Sequence, residues 1–484
     1  IDQRMGRGSV TIAAGVDEWT GANLIWAVDN TILHALFLGN TELLMTSLCY
    51  AVKELEVKSG DIEGIKEDNS FYQHGAQLNS CTYGSDMLLS LSEIIRNLSD
   101  TDFQLPQEKL SILAELATEG HIYFARNNFY NYMASGRAFT RYGSSSVSSM
   151  INGIKNLLTV PEMPYLIELQ KALDYLNNST DPDSALVDTK YFYVPCVLVH
   201  SNADYYMAVR GGTSDNVNTE IVNGENLLCR NISYGGTTVY MYDSSEYRGI
   251  YGLWDYAMIP GTTAFWETDA ELLAWGASSN NTSLLGPLTD HSGGLSDGEC
   301  GAVYQQLANE EGLSGWQSFI FYNGIMLGLG ADITCTNASN QKQINTTLDQ
   351  CYLKENASIG GETLTSGTVI DDDTGVFNGA FAYYNLGGGS LTVFAEDVRG
   401  SYDRVNPGYG SPEYTGAVFK PYINYGTSPD GVNFVYAIAA NADGNSPFKG
   451  SDLPIAKITN TVEIQCVEFA DGTVVCVFNT PGTY

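Results

Sequence analysis

The first 180 residues have the apolar spacing of amphipathic helices. One helical face is formed by residues at the i, i+1, i+4, i+7, i+8 and i+11 positions of a single run: Met87, Leu88, Leu91, Ile94, Ile95 and Leu98. Similar patterns cover residues 23–39, 41–57, 106–134 and 161–176. We therefore expect residues 1–180 to form antiparallel helix pairs with short loops, as in a bundle or an α/α toroid.

The pattern changes after a polar break at residues 177–183. Runs rich in β-branched and aromatic residues at 190–200, 237–242 and 473–478 predict strands, and glycine-rich turns separate them. Residues 186–484 are therefore predicted to form a large antiparallel β-sandwich. The fold class is α+β and multidomain, since a chain of 484 residues is too long for one hydrophobic core.

The formal net charge of −33 limits the partners of the chain. An acidic surface repels nucleic acid and anionic membranes, and no apolar run reaches the roughly 18 residues that a membrane span needs. The same charge opposes an acidic polysaccharide. However, 13 of the 23 Lys and Arg residues lie before residue 191, so a local basic cleft on an acidic protein is compatible with the composition.

The cysteines of the chain allow two candidate disulfides. The nine cysteines show no CxxC zinc pattern, and their odd number leaves at least one unpaired within the chain. Cys335 and Cys351 flank a loop-like stretch that a disulfide would close. Cys466 and Cys476 flank the turn dipeptide Asp471-Gly472, and the loop length decides whether they face each other.

Nine N-x-S/T sequons favour a secreted, eukaryotic (for example fungal) glycoprotein, which we expect to be a monomer. They are Asn97, Asn177, Asn178, Asn231, Asn280, Asn281, Asn337, Asn345 and Asn356. The chain starts at Ile1 without a signal peptide, as a mature form would.

Five segments have residue types suited to acid–base chemistry. They are Thr20–Asn23 (TGAN), Glu67–His74 (EDNSFYQH) with Tyr83 nine residues after His74, Gly136–Arg141 (GRAFTR), Glu220–Asn226 (EIVNGEN) and Pro260–Thr263 (PGTT). Each segment alone is a weak indication, but five in one order are specific.

Together these segments resemble polysaccharide lyase family 8, the hyaluronate, chondroitin AC and xanthan lyases. That family has a GAN segment, a DGSF-x-QH segment with Tyr nine residues after the His, GR-x-x-x-R, NGEN and PGTT, in this order. The resemblance covers about residues 20–270. It implies an anionic polysaccharide substrate, cleavage by β-elimination and no required cofactor.

The resemblance also implies roles for single residues. Asn23 would bind the uronate carboxylate with support from Asn223, and His74 would lie beside the sugar ring. Tyr83 would act as general base and then as general acid, with Arg137 stabilising its phenolate. Glu220 would orient Arg137 and His74, and Arg141 would line the cleft. Tyr72, Gln73 and Trp26 are further candidates for substrate contact, with core packing as the alternative for the two aromatic residues.

The chemistry explains these residue types. The proton at C5 of a uronate becomes acidic when hydrogen bonds neutralise the adjacent carboxylate, and an amide does this without a permanent charge. A tyrosine phenol has an ordinary pKa of about 10, so a phenolate base needs a neighbouring cation. D-Glucuronate and D-mannuronate present the same face at C4 and C5. An L-uronate would require His74 as the base instead.

Other interpretations exist for several of these residues. Asn23 alone is typical of a helix N-cap, and Asn223-Gly224 is typical of a turn. Residues Asp371–Asp373 suit either a structural calcium ion or an acidic surface turn, and the turn is favoured. A glycoside hydrolase needs two carboxylates flanking the scissile bond, for which Glu220 and Glu225 are a poor pair.

Two departures from the family pattern bear on fold and substrate. Asn23 lies close to the start of the chain, so we expect an incomplete toroid. Asn69 replaces the family's glycine. From the expected eukaryotic origin we favour poly-β-D-mannuronate (alginate) as the substrate, followed by hyaluronate or chondroitin. A non-catalytic carbohydrate-binding or adhesion protein on the same scaffold is the remaining alternative.

Overall fold

Helices and strands separate into two units of the chain. The computed structural model describes residues 19–144, 146–179, 181–278, 282–286, 288–337 and 341–484. The helical unit contains Ile1–Gly136 and Ser145–Ala185, and the β unit contains Arg137–Ser144 and Leu186–Tyr484. The segment that begins with Arg137 therefore belongs to the β unit, although it lies between two helical segments in sequence.

The helical unit has six α-helices and two short hairpins among its described residues. The helices are α1 (Gly21–Leu38), α2 (Thr41–Glu54), α3 (Ser85–Leu98), α4 (Gln107–Glu115), α5 (Ser148–Leu157) and α6 (Leu166–Leu176). The hairpins pair β1 (Gly64–Ile65) with β2 (Phe71–Tyr72) and β3 (Ala125–Arg126) with β4 (Phe129–Tyr130).

The apolar face of α3 is the centre of this unit. Met87, Leu88, Leu91, Ile94 and Ile95 are buried as the spacing predicts. Helix α5 packs closely on this face, because a Cβ on Gly153 would lie 2.9 Å from Leu88 Cγ. The sequence patterns did not predict α5.

The helix predicted over residues 106–134 is wrong after Glu115. Helix α4 ends there and is followed by a π-helical turn (Leu116–Gly120), a 3₁₀ turn (His121–Phe124) and the hairpin β3–β4. At Gly120 a Cβ would lie 2.0 Å from the carbonyl oxygen of Asn69, so this contact requires glycine. Asn127 then turns the chain with φ 52°.

The described residues in the first half of the β unit contain twelve strands, which belong to several sheets. They are β5 (Asp188–Phe192), β6 (Val197–Ser201), β7 (Tyr206–Arg210), β8 (Val217–Ile221), β9 (Thr237–Met241), β10 (Thr263–Phe265), β11 (Thr282–Leu285), β12 (Ser292–Ser296), β13 (Cys300–Ala308), β14 (Leu313–Tyr322), β15 (Ile325–Cys335) and β16 (Ile344–Thr347). One helix, α7 (Asp269–Ser278), interrupts them and was not predicted.

The remaining strands complete the sheets. They are β17 (Cys351–Tyr352), β18 (Ser358–Ile359), β19 (Glu362–Thr363), β20 (Thr368–Ile370), β21 (Val376–Asn378), β22 (Phe381–Gly387), β23 (Leu391–Gly400), β24 (Tyr414–Asn424), β25 (Val432–Ala440), β26 (Ile455–Asn460), β27 (Ile464–Phe469) and β28 (Val474–Phe478).

The described strands of the β unit pair antiparallel in five sheets. The largest has nine strands in the order β12-β13-β14-β15-β25-β22-β21-β18-β19. A six-stranded sheet has the order β10-β16-β24-β23-β20, with β17 also paired to β24. The smaller sheets are β5-β6-β7-β9, β26-β27-β28 and β11-β8. The predicted α+β class, helical first and antiparallel β second, is confirmed.

One disulfide lies in the last hairpin. Cys466 and Cys476 are register partners in β27 and β28 and form a disulfide. Four residues, 470–473, separate these strands, so the loop is longer than a two-residue turn and the cysteines face each other. Cys335 and Cys351 are both free, so the suggested bridge between them is wrong.

Candidate active site

Distant side chains hold the start of α1, where Asn23 lies. The peptide N–H of Gly21 donates to Glu54 Oε1 (2.8 Å), and that of Ala22 donates to Gln73 Oε1 (2.9 Å). Thr20 is the N-cap residue, so Asn23 lies in the first turn and the N-cap interpretation of Asn23 is wrong. Gly21 has φ +58°, and a Cβ there would lie 2.3 Å from Gln73 Oε1, which explains the glycine before Ala22-Asn23.

Gln73 and Tyr72 are buried residues next to this helix start. Gln73 is 0% exposed, and its amide nitrogen donates to Glu63 while its amide oxygen accepts from α1. Tyr72 is 2% exposed, with Lys66 Nζ 5.0 Å from its ring centroid. The geometry favours a positioning role for both residues over the substrate contact predicted for them.

His74 lies at the tip of a tight turn. The peptide N–H of Gln73 donates to the carbonyl of Gln77 (3.1 Å), and His74 and Gly75 between them have φ +64° and +79°. A histidine in the left-handed region is uncommon and costs free energy, so the surrounding hydrogen bonds must maintain it. Such backbone strain is typical of functional residues.

Tyr83 lies on a π-helical turn, Ser80–Gly84, that continues directly into α3. Its ring centroid is 4.7 Å from that of His74, at an interplanar angle of 64°, and 5.4 Å from that of Trp26. Single π turns occur frequently at functional sites. The helical unit thus brings together three predicted residues, Tyr83, His74 and Trp26, and all three side chains are half-buried.

A second histidine packs behind this turn. His121 is 0% exposed, lies edge-on to Phe71 (6.4 Å between centroids) and would be 2.9 Å from a Cβ on Gly84. Burial lowers the pKa of His121 to about 4. A side chain at position 84, directly after Tyr83, would collide with His121. This position therefore requires glycine.

In the β unit, two arginines and two glutamates form a cluster, of which Arg137, Glu220 and Glu225 are buried and Arg141 is partly exposed. Arg137 donates to Glu220, and its Nε lies 3.3 Å from Glu225 Oε1. Arg141 binds Glu225 through two nitrogens, with Nε at 2.6 Å and a terminal nitrogen at 3.0 Å. Fork-like pairing of this kind fixes the orientation of a guanidinium. The predicted pairing of Glu220 with Arg137 is present.

The loop after β8 orients these glutamates. Asn223 and Gly224 have φ +59° and +74°, and the peptide N–H of Glu225 donates to the carbonyl of Val222 (3.1 Å). This is the geometry of a type I′ turn, which favours Asn-Gly. Asn223 is exposed at the turn, and Asn226 braces it by donating to Thr219 Oγ1 (2.7 Å) and to the carbonyl of Glu220 (2.9 Å).

Two family models match the chain in the same order as its two units. The N-terminal alpha-helical domain of polysaccharide lyase family 8 matches residues 6–171, and its super-sandwich domain matches residues 187–447. The second match covers more than half of the chain. The chain belongs to polysaccharide lyase family 8.

Relatives agree with this family assignment. The chondroitinase-AC of Pedobacter heparinus is 27% identical over 96% of this chain, and the hyaluronate lyase of Thermasporomyces composti is 24% identical over 97%. The alignments cover 65% of the length of each of these relatives. A solved structure of chondroitinase AC lyase superposes with a TM-score of 0.87 at 23% identity, covering 99% of this chain and 70% of that one.

Three residues of this family 8 chain were not predicted as site residues. Glu225 binds both arginines and accepts a hydrogen bond from Asn406 (3.3 Å), while Tyr409 lies under Arg141 with 4.6 Å between Cζ and the ring centroid. The spacing of Glu225 in NGEN was visible in the sequence. Nothing in the sequence places residues 406–409 beside residues 137–141, since about 270 residues separate them.

The acidic run Asp371–Asp373 binds protein groups. Asp372 accepts from Lys449 Nζ (2.7 Å), and Asp373 accepts from the peptide N–H of Ser451 (2.7 Å). Among the described residues, no group of three or more His, Cys, Asp or Glu is arranged to hold a metal ion. Nor does any helix in the described ranges have the length and apolarity of a membrane span.

Proposed function

We propose that this chain is a lyase that cleaves hyaluronate or chondroitin by β-elimination at the uronate. The pairing of the Tyr83 and His74 rings at 4.7 Å, on a π turn and a left-handed residue respectively, is the observation that supports it most directly. The names of the family 8 relatives support the substrate class. These relatives are named for chondroitin and hyaluronate, so they favour that alternative over alginate.

In the proposed reaction Tyr83 transfers the proton. The phenolate oxygen takes the proton from C5 of the uronate, the C4=C5 double bond forms, and the C4–O4 bond breaks. The proton then returns from the Tyr83 hydroxyl to the departing O4. Acid–base assistance of this kind contributes about 10²–10⁴-fold in rate.

Asn23 and the arginine cluster have supporting roles in this proposal. Asn23 neutralises the uronate carboxylate so that charge can develop at C5. Arg137 and Arg141 supply oriented N–H donors, because Glu220 and Glu225 fix their guanidinium groups. Since both glutamates are occupied by arginines, they are unsuited to act as the acid and base of a glycoside hydrolase.

We also propose that the chain is secreted and monomeric. The disulfide between Cys466 and Cys476 supports an oxidising compartment. Glycosylation is restricted, because Asn231 and Asn345 are 1% and 5% exposed, whereas Asn97 and Asn356 are exposed. Mass spectrometry of protein from the culture medium tests secretion and the modified sequons, and size-exclusion chromatography with light scattering tests the monomer.

A panel of polymers tests the function. Hyaluronate, unsulfated chondroitin, mannuronan and xanthan are incubated with the protein while the ultraviolet absorbance of unsaturated uronate is recorded. We expect the absorbance to rise with hyaluronate or chondroitin and to stay constant with mannuronan. A fastest rise with mannuronan contradicts the proposed substrate. No rise with any polymer, together with retained polymer binding, supports the non-catalytic carbohydrate-binding alternative.

A further inference from the structure

One face of the six-stranded sheet in the β unit forms an open groove. Its volume is about 730 Å³, and the segment 253–269 and strands β16, β23 and β24 line it. Alternate residues of β24 point to one face of a strand, which places Val418, Lys420, Tyr422 and Asn424 in a row along the groove. The groove shares no lining residue with the arginine cluster.

Aromatic side chains form the apolar part of the groove. Trp266, directly after β10, is 43% exposed. Phe394 on β23 and Tyr422 on β24 are half-buried in the same groove. Exposed aromatic faces of this kind stack against the C–H faces of sugar rings, and the Trp266 indole N–H is fixed by Asp255 Oδ2 (3.3 Å).

Lys420 forms the polar part of the groove. It is 8% exposed, and its ammonium donates to Asp255 Oδ2 (2.8 Å). Phe394 is its register partner on the neighbouring strand, and the Lys420 Nζ lies 5.1 Å from the centroid of the Phe394 ring. An ammonium has three N–H donors, and within the described ranges this one makes a single hydrogen bond. The remaining donors are available to a ligand hydroxyl or carboxylate.

The charges of the groove are balanced. Its lining contains three carboxylates (Asp255, Glu267 and Asp269) and three cations (Arg399, Arg404 and Lys420). The whole chain has a net charge of −33. An acidic polymer therefore meets less repulsion in this groove than over most of the protein surface.

We propose that this groove is a second saccharide-binding site, which holds a segment of the same uronate-containing polymer without cleaving it. The inference rests on the proposed function. A pocket with stacked aromatic faces and a few placed polar groups suits sugar rings, whose two faces are apolar and whose edges have hydroxyl groups. Binding a long polymer at two sites raises its effective concentration at the reacting residues.

Binding to chondroitin polymer tests the groove independently of cleavage. Isothermal titration calorimetry is performed on the Tyr83→Phe protein so that the polymer stays intact, with Trp266→Ala and Lys420→Met as second substitutions. We expect Trp266→Ala to weaken binding about tenfold, as loss of one stacked aromatic contact does, and Lys420→Met to weaken it several-fold. Phe448→Ala removes an aromatic residue of similar exposure (60%) outside the groove and should leave binding unchanged.

Kinetics separate the groove from the reacting residues. In the otherwise wild-type protein, Trp266→Ala should raise KM for the polymer and leave kcat/KM for a chondroitin tetrasaccharide unchanged. Unchanged polymer affinity in both groove variants, or an equal loss for polymer and tetrasaccharide, overturns the proposal. If the chain cleaves no polymer at all, the proposed function fails, but the calorimetric comparison still decides whether the groove binds saccharide.

Discussion

The two units fix their candidate site residues by different means. In the helical unit the candidate residues lie on backbone of particular geometry. Asn23 lies in the first turn of α1, whose peptide N–H groups bind Glu54 and Gln73, while His74 is a left-handed residue and Tyr83 lies on a π turn. In the β unit Arg137 and Arg141 are held by side-chain ion pairs with Glu220 and Glu225. We therefore expect the helical-unit residues to be sensitive to substitutions that change backbone conformation. The two arginines should be sensitive to substitutions that remove a charge.

The arginine cluster is balanced in charge. Two guanidinium groups face two carboxylates, so the cluster adds no formal net charge to an already acidic protein. Buried ion pairs contribute little net stability, but removing one partner leaves an uncompensated charge. In the proposed function the cluster would offer oriented N–H donors to an acidic polymer, and that proposal does not require a net basic cleft.

Replacing Tyr83 should have the largest effect. Tyr83→Phe retains the ring that contacts His74 and Trp26 but removes the hydroxyl that transfers the proton in the proposed reaction. We expect kcat to fall about 10³-fold, with little change in thermal stability, as measured from the ultraviolet absorbance of the unsaturated product. Tyr165→Phe, which removes an exposed hydroxyl from the same unit, is the matched control. Full activity in Tyr83→Phe would falsify the mechanism.

Replacing Glu225 tests the side-chain pairing in the β unit. Glu225→Gln removes the carboxylate shared by Arg137, Arg141 and Asn406, and should lower the free energy of unfolding by about 3–5 kcal/mol in urea titrations. Glu413→Gln breaks an exposed ion pair with Arg399 in the same unit and should have little effect. If both variants lose the same free energy of unfolding, the buried cluster contributes no more to stability than the exposed ion pair.

The sequence singled out candidate site residues more readily than the residues that hold them in place. Apolar spacing identified α3, because it depends on residues close together in the chain, and motif order singled out Tyr83, His74 and Arg137 as candidates. The role of Glu225 depends on residues 406–409, which only the tertiary fold brings near. The wrong helix over 106–134 has the same cause: the contact of Gly120 with Asn69 overrides local helical propensity.

His121 should make the helical unit sensitive to acid. Its folded pKa of about 4 lies below the ordinary value of 6.5, so the unfolded state binds more protons between these values. The contribution of the neutral, buried His121 to the free energy of unfolding is fully present above about pH 6.5. It falls by about 3 kcal/mol as the pH drops to about 4. His121→Phe should remove this loss, measured by hydrogen exchange of α3 peptide N–H groups. An unchanged acid response would contradict the assignment.

Asp349 should have the opposite effect in the β unit. It is fully buried, accepts from Tyr247 (2.5 Å) and Tyr383 (2.6 Å), and burial raises its pKa from 3.8 to about 6. The folded state therefore binds more protons between these values, and stability falls by about 3 kcal/mol as the pH rises through this window. Asp349→Asn should flatten this dependence for β-unit peptides in the same exchange experiment, and an unchanged slope would exclude Asp349 as its source.

Asn69 should show the smallest effect and tests the backbone argument in the helical unit. It replaces the family's glycine and has φ +64°, a conformation that Asn tolerates better than other residues with a Cβ. Asn69→Ala should therefore cost about 1 kcal/mol in thermal or urea unfolding, whereas Asn69→Gly should change stability by less than about 0.5 kcal/mol. Equal stability of the Ala and Gly variants would show that side-chain contacts, and not the left-handed backbone, determine this turn.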